Sequence, residues 1–131
     1  MPDEGDVVEP VQAPVVNNQE KIVAEVAKQL GISVAQIEDW KRQFGKIEAD
    51  KIGGRWFVYR TLRRSELKQI RQNVQGGDDL VQEEKIASRC LVHPKLSELE
   101  LRDEEAGLAT TLCELIYHFS GYTPDAAPVK L

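Results

Sequence analysis

Apolar residues recur every three or four positions in two neighbouring stretches near the start of the chain. Asn17 or Asn18 can cap the first stretch, Gly31 is suited to end it, and its apolar face consists of Ile22, Val23, Val26, Ala27 and Leu30. Ser33 followed by Gln36 is typical of a capping box, and the stretch that it opens ends at Gly45 and carries on one face Ile37, Trp40 and Phe44. This pattern predicts a tight helix-turn-helix.

The pattern then changes to the alternation of a β-strand. It covers residues 46–52 and 55–60, and the second stretch is rich in aromatic and β-branched side chains. Gly53 and Gly54 lie between the two stretches, and glycine readily adopts the positive φ angles of a two-residue hairpin turn. A β-hairpin is therefore predicted directly after the helix-turn-helix.

The helical period returns after the hairpin. A basic helix, exposed on one side, is predicted up to Gly76-Gly77, with an apolar stripe at Leu62, Leu67, Ile70 and Val74. Asp78 or Asp79 can cap the next helix, which must end near His93 because Pro94 disfavours helix at the preceding residue. Its candidates for burial are Val81, Ile86, Ala87 and Cys90.

The remaining apolar residues predict an irregular crossing and a last helix. The crossing is anchored by Leu96, Leu99 and Leu101. Asp103, Glu104 and Glu105 open the last helix, where their charge suits the helix dipole, and Ser120-Gly121 ends it. Its apolar face consists of Leu108, Leu112, Leu115, Ile116 and Phe119. The expected fold is a mainly α-helical α+β fold with a helical pair, a β-hairpin and about three further helices.

A single domain flanked by extended arms is expected. A chain of 131 residues with 41% apolar residues supports one modest core. Residues 18–121 form this domain, with a basic helix-turn-helix and hairpin half at 18–75 and an acidic helical half at 76–121. Residues 1–17 and 122–131 lack a regular period but contain apolar residues, so they are either loose termini or arms that become ordered on a partner.

Charge is distributed unevenly, although the formal net charge is only −5. Residues 1–19 carry four acids and no base, residues 20–75 carry 12 bases and 7 acids, and residues 76–131 carry 5 bases and 11 acids. Such a chain can attract partners of either sign, and copies of it can neutralise one another head to tail. The mean hydropathy of −0.40 and the lack of a long apolar run predict a soluble, cytosolic protein without a transmembrane helix.

The sequence has no signature of an enzyme. It lacks a nucleophile elbow, a glycine-rich phosphate loop after a strand, and a His-Glu-x-x-His motif, so no catalytic activity, small-molecule substrate or cofactor is expected. A zinc site is a weaker alternative, with candidate ligands Cys90, His93, Cys113 and His118. Cys113 and His118 are five residues apart in a predicted helix, whereas a helical ligand pair needs a spacing of three or four. Buried thiols are the simpler interpretation, and no metal is expected.

Residues 22–70 resemble a winged helix of the excisionase or MerR type. The resemblance rests on the hairpin and on the spacing of Ala27, Gly31, Ile32, Ile37 and Trp40. It implies that the second helix enters the major groove of DNA, with contacts from Gln36, Lys41, Arg42 and Arg55. Glu38 and Asp39 would then face the phosphates, which repel carboxylates, so a helical hairpin with a packing role only is the other interpretation.

Residues 37–122 resemble the small tail-assembly chaperones and baseplate-hub proteins of contractile-tailed bacteriophages. The resemblance rests on three short motifs: Trp40-Lys41 with Phe44-Gly45, the strand end Arg60-Thr61-Leu62, and Ser120-Gly121-Tyr122. Thr61 stands where this family commonly has proline. The resemblance implies a non-enzymatic structural or assembly protein that contacts other tail or baseplate proteins, or itself, in the host cytoplasm during assembly or in the virion.

Under this tail-assembly hypothesis, the basic middle of the chain meets an acidic neighbour. The candidate partner-binding residues are four arginines and two aromatic residues of the hairpin: Arg60, Arg63, Arg64, Arg71, Trp56 and Tyr59. A role in the hairpin core is the other interpretation of the two aromatic residues. Tail or baseplate assembly is the favoured function, and DNA binding by a winged helix is the alternative.

Overall fold

The computed structural model describes residues 18–121 and 126–131. Their contacts divide the chain into two compact units, with the boundary between Gln43 and Phe44. The extended arm predicted at residues 1–17 lies outside the described residues, and so do residues 122–125 of the predicted tail. Residues 126–131 contain no helix or strand and are exposed. The expectation that 18–121 form one domain stays a prediction.

The first unit contains the predicted helix-turn-helix. The helices α1 (Asn18–Leu30) and α2 (Val34–Phe44) are joined by a turn in which Gly31 has a φ of 72°. The N–H of Gln36 donates to Oγ of Ser33 at 3.1 Å, so the predicted serine cap is present. The buried residues of the two helices are Ala27 and Ile37.

The predicted hairpin is confirmed in the second unit. Strands β1 (Ile47–Ile52) and β2 (Arg55–Arg60) pair antiparallel, and Ile52 lies opposite Arg55 at the turn. Gly53 and Gly54 have φ angles of 58° and 85°, which explains the two glycines, because side chains disfavour this left-handed region.

A third strand, β3 (Leu91–His93), pairs antiparallel with β2 and completes a sheet of order β1-β2-β3. The sequence pattern placed these residues at the end of a helix that stops near His93. The helix instead ends at Cys90, and the chain enters the sheet at once. Leu91 lies opposite Tyr59, and Val58 lies opposite His93.

Four further helices cover the second unit. They are α3 (Arg64–Asn73), α4 (Asp79–Cys90), α5 (Glu98–Arg102) and α6 (Ala106–Ser120), with a short 3-10 turn (Gln75–Gly77) after α3. Asp78 caps α4 by accepting a hydrogen bond from the N–H of Val81 at 3.1 Å, as predicted. The expected irregular crossing contains α5, which Ser97 caps, and α6 begins at Ala106, after the acidic run that was expected to open it.

The core of the second unit lies where the sheet meets α3, α4 and α6. Its fully buried residues with large side chains are Phe57, Tyr59, Ile70, Ile86, Leu91, Leu112, Ile116 and Cys90. The predicted apolar face of α6 is confirmed, because all five of its residues are buried or packed against this core. The fold is therefore mainly helical α+β. Within the described ranges, no helix has the length and apolar character needed to cross a membrane.

Candidate interaction cleft

An open cleft of about 650 Å³ lies in the second unit. Three stretches of the chain and α3 form it: the residues just before β1, the connection from β2 into α3, and the last turn of α6. We call it the basic cleft, and its lining consists of Phe44, Lys46, Arg60, Thr61, Leu62, Arg63, Arg64, Leu67, Tyr117, Phe119, Ser120 and Gly121. Residues that are far apart in the sequence thus share one concave surface.

The lining carries four basic side chains, and none of its described residues is acidic. Arg63 and Arg64 begin α3, and both are exposed. Within residues 18–121 and 126–131, neither of their side chains has a hydrogen bond or an ion pair. Their positive charge is therefore available to an anionic group that enters the cleft.

Aromatic rings form much of the apolar part of the cleft, which Leu62 and Leu67 complete. The side chain of Phe119 packs edge-on against Tyr59, with ring centroids 5.7 Å apart and ring planes at 81°. Nζ of Lys46 lies 5.1 Å from the Phe119 ring centroid, in the range of a cation–π interaction. Tyr117 is 37% exposed, so part of its ring faces solvent. The cleft thus combines arginine charge with accessible aromatic surface.

The hydroxyl of Ser120 connects two walls of the cleft. It accepts a hydrogen bond from the N–H of Leu62 at 2.8 Å and donates one to the carbonyl of Ile116 at 2.6 Å. The first bond joins the connection after β2 to the end of α6. Both walls are therefore held in place by the fold.

Arg60 differs from the other arginines of the cleft, because its guanidinium is used within the chain. It donates to both carboxylate oxygens of Glu66, at 3.0 and 2.8 Å, and to the carbonyls of Thr61 and Arg89, each at 3.0 Å. The hydrogen bond from Arg60 is the main cause that lowers the pKa of Glu66, and its counterpart raises the pKa of Arg60. Its guanidinium joins the end of β2 to α3 and α4.

The two aromatic residues predicted to bind a partner, Tyr59 and Trp56, differ in burial. Tyr59 is fully buried, and its hydroxyl lies 2.5 Å from Oδ2 of Asp50 and 2.8 Å from Oε1 of Glu48. Burial is the main cause that raises its pKa, and the hydrogen bond to Asp50 adds to it. Tyr59 is therefore a core residue, which agrees with the alternative interpretation that the aromatic residues of the hairpin belong to its core. Trp56 is half-buried.

Arg71 lies beside the cleft rather than in its lining. Its Nη2 atom donates to the hydroxyl of Tyr117 at 3.3 Å. Of the predicted partner-binding residues, the structure thus brings Arg60, Arg63 and Arg64 together in the cleft, places Arg71 against one of its aromatic residues, and leaves Trp56 outside the lining.

The residues predicted to contact DNA are divided between the two units. Gln36, Lys41 and Arg42 lie on α2, whereas Arg55 begins β2. Each of the three cations has a carboxylate partner: Lys41 pairs with Glu38 at 3.5 Å, Arg42 with Asp39, and Arg55 with Glu104 at 2.8 Å. These carboxylates reduce the positive charge that a DNA phosphate meets.

Both cysteines are buried thiols. Burial raises the pKa of Cys90 to about 12 and that of Cys113 to about 11, so both are protonated at neutral pH. Among the described residues, no group of three or more His, Cys, Asp or Glu side chains is arranged to hold a metal ion. The zinc alternative therefore has no ligand set in this part of the chain.

Lys46, Tyr117 and Ser120 were not singled out as site residues in the sequence. All three motifs of the resemblance to tail proteins nevertheless lead to the cleft, since its lining includes Phe44, the strand end Arg60-Thr61-Leu62, and Ser120-Gly121. Lys46 comes two residues after Phe44. The helical period of α6 places Tyr117 outside the apolar face. The sequence therefore contained a signal for this residue, since an aromatic side chain on the exposed side of a helix can mark an interaction site. Comparison of the chain with protein-family models, with curated proteins and with solved structures finds no match.

Proposed function

We propose that this chain is a non-enzymatic protein-interaction subunit of a bacteriophage tail or baseplate, acting in its assembly or as a structural component. The observation that carries the proposal is the basic cleft, in which Arg63 and Arg64 lie beside the partly exposed Tyr117 and form no ion pair with any residue that the structure describes. The tail-protein motifs support the assignment to phage assembly, since all three of them contribute residues to this cleft.

The chemistry of the cleft suits a protein segment with carboxylate side chains. Arginine and tyrosine are enriched among the residues that dominate binding energy at protein interfaces. Arginine forms bidentate hydrogen bonds with carboxylates, and a cluster of positive charge speeds encounter with an acidic partner. An acidic stretch of a tail or baseplate protein that also carries apolar side chains is the partner that we propose.

DNA binding by the helix-turn-helix receives less support. Glu38 and Asp39 lie on α2 and pair with the two cations of its last turn, Lys41 and Arg42. A recognition helix needs free donors for base edges and phosphates, and these ion pairs compete with them.

The test of the proposed function is recovery of partners from the native host background. A tagged chain is purified from phage-producing cells at moderate salt with nuclease present, and co-purifying proteins are quantified by mass spectrometry. We expect tail-tube, hub or baseplate proteins in a fixed ratio to the chain. Recovery of nuclease-sensitive DNA alone would favour the DNA-binding alternative.

Charge reversal at the cleft makes this test specific. The cleft variant (Arg63→Glu with Arg64→Glu) should lose the tail proteins. The control variant (Lys51→Glu with Lys68→Glu) makes the same change in net charge at exposed lysines outside the cleft lining, and it should retain them. Equal loss in both variants would show that overall charge, and not the cleft, is responsible.

A further inference from the structure

The basic cleft and the first residues of the chain have opposite charge. We propose that the cleft of one copy binds the acidic segment (residues 1–16) of a second copy of this chain. The inference rests on the cleft of the proposed function, but it concerns a different occupant and does not require a phage protein.

The cleft supplies the positive half of this contact. Four of its lining residues are basic, and Arg63 and Arg64 have no carboxylate partner in the part of the chain that the structure describes. Among residues 18–121 and 126–131 these two charges are uncompensated, so they can pair with carboxylates that a second copy brings into the cleft. Arg60 keeps its ion pair with Glu66 and therefore forms part of the cleft wall instead of binding the segment.

The acidic segment supplies the negative half. It contains four acids and no lysine or arginine, and its acids are Asp3, Glu4, Asp6 and Glu9. Val7 and Val8 lie between the third and fourth acid, so apolar side chains accompany the carboxylates. This order of charged and apolar groups matches a cleft that places two arginines beside the rings of Tyr117 and Phe119.

The symmetry of the contact follows from its two different surfaces. Each copy carries both the basic cleft and the acidic segment, so a copy that fills a neighbour's cleft still has its own basic cleft open. Such a head-to-tail contact is heterologous, and it forms a closed ring or a growing chain rather than a simple two-fold dimer.

Sedimentation velocity of the full chain over a hundredfold range of concentration tests the inference. We expect reversible association beyond a dimer at low salt, and weaker association at high salt, since the screening length falls from about 10 Å at 0.1 M to about 3 Å at 1 M salt. A chain that stays monomeric at every concentration and salt would overturn the inference.

Three variants locate the contact. The cleft variant should weaken association at least tenfold, and so should a segment variant in which each acid is replaced by its amide: Asp3→Asn, Glu4→Gln, Asp6→Asn and Glu9→Gln. The control variant should associate like the unmodified chain. Association that is unchanged in the cleft variant or the segment variant would contradict the inference.

A mixing experiment identifies the second copy as the source of the segment. The cleft variant retains an intact segment, and the segment variant retains an intact cleft. Each alone should associate at least tenfold more weakly than the unmodified chain, but their mixture should form a 1:1 heterodimer that cannot grow. A mixture that remained monomeric would overturn the inference, and a segment that bound within its own chain would already leave the unmodified chain monomeric. Loss of self-association leaves tail-protein recovery as a separate measurement, so failure of one proposal is distinguishable from failure of the other.

Discussion

The guanidinium of Arg60 and the carboxylate of Glu66 form two parallel hydrogen bonds, with N–O distances of 3.0 and 2.8 Å. Their side chains are only 18% and 17% exposed, so solvent screens the pair weakly. The same carboxylate accepts a hydrogen bond from the N–H of Arg63 at 2.9 Å and thereby satisfies the start of α3. One ion pair therefore holds β2, the first turn of α3 and one wall of the cleft together.

Removal of Arg60 should destabilise the fold. In Arg60→Ala, Glu66 loses two charge-assisted hydrogen bonds in a largely buried setting, and we expect the free energy of unfolding to fall by about 2–3 kcal/mol. Urea unfolding followed by circular dichroism measures the change. Lys68→Ala, an exposed position of α3, is the matched control and should change stability by less than about 0.5 kcal/mol. Equal effects of the two substitutions would show that the pair contributes nothing.

The same ion pair predicts a dependence of stability on pH. The pKa of Glu66 is lowered from its ordinary value of 4.5, chiefly by the hydrogen bond from Arg60. A lowered pKa in the folded state adds stability above pH 4.5, and this stability is lost as the pH falls through the folded-state pKa. The stability advantage of the unmodified chain over Glu66→Gln should therefore shrink below pH 4.5, as measured by urea unfolding at several pH values. An advantage that grows on acidification would have the opposite sign and contradict the assignment.

The two cysteines should resist modification in the folded protein. Burial raises the pKa of both thiols, so the reactive thiolate is scarce at neutral pH and is shielded from solvent. We expect slow reaction with a chromogenic disulfide reagent under native conditions and rapid reaction of both thiols in denaturant. Cys113 is 6% exposed and Cys90 is 0% exposed, so Cys113 should react first. Fast reaction of Cys90 in the native protein would contradict this placement.

The stability cost of replacing either glycine of the hairpin turn should depend on backbone conformation alone. A Cβ atom at either position would meet nothing within 4 Å, so steric contact plays no part. Gly54→Ala should cost about 1 kcal/mol, because alanine disfavours a φ of 85°. Gly53→Asn should be close to neutral, because asparagine tolerates the left-handed region and is common in such turns. Thermal unfolding of both variants provides the comparison, and a neutral Gly54→Ala would be inconsistent with the turn.

Local patterns predicted most elements of this fold. The apolar period and the glycine stops identified α1, α2 and α6, and Gly53-Gly54 identified the hairpin, because these signals lie within a few residues of the structure that they determine. β3 was missed, because Leu91–His93 is too short to show a period and becomes a strand only by pairing with β2. The signal for α5 was present in Ser97 and Glu100, which form a capping box.

The cleft was only partly predictable. The exposure of Arg63 and Arg64 follows from their position on a basic helix. The partnership of Arg60 with Glu66 and with the carbonyl of Arg89 depends on tertiary packing, and no local pattern distinguishes Arg60 from its neighbours. The approach of Tyr117 to the start of α3 likewise depends on how α6 packs in the core.

The Ser120 hydroxyl has a kinetic consequence. Since it fastens the residue after β2 to the last turn of α6, the cleft exists before any ligand arrives, and binding does not have to wait for a rearrangement. Association should then be a single bimolecular step, in which the observed rate constant rises linearly with ligand concentration without a plateau. Because the cleft is already formed, it loses little conformational entropy on binding. The entropic cost of ordering therefore falls mainly on the ligand.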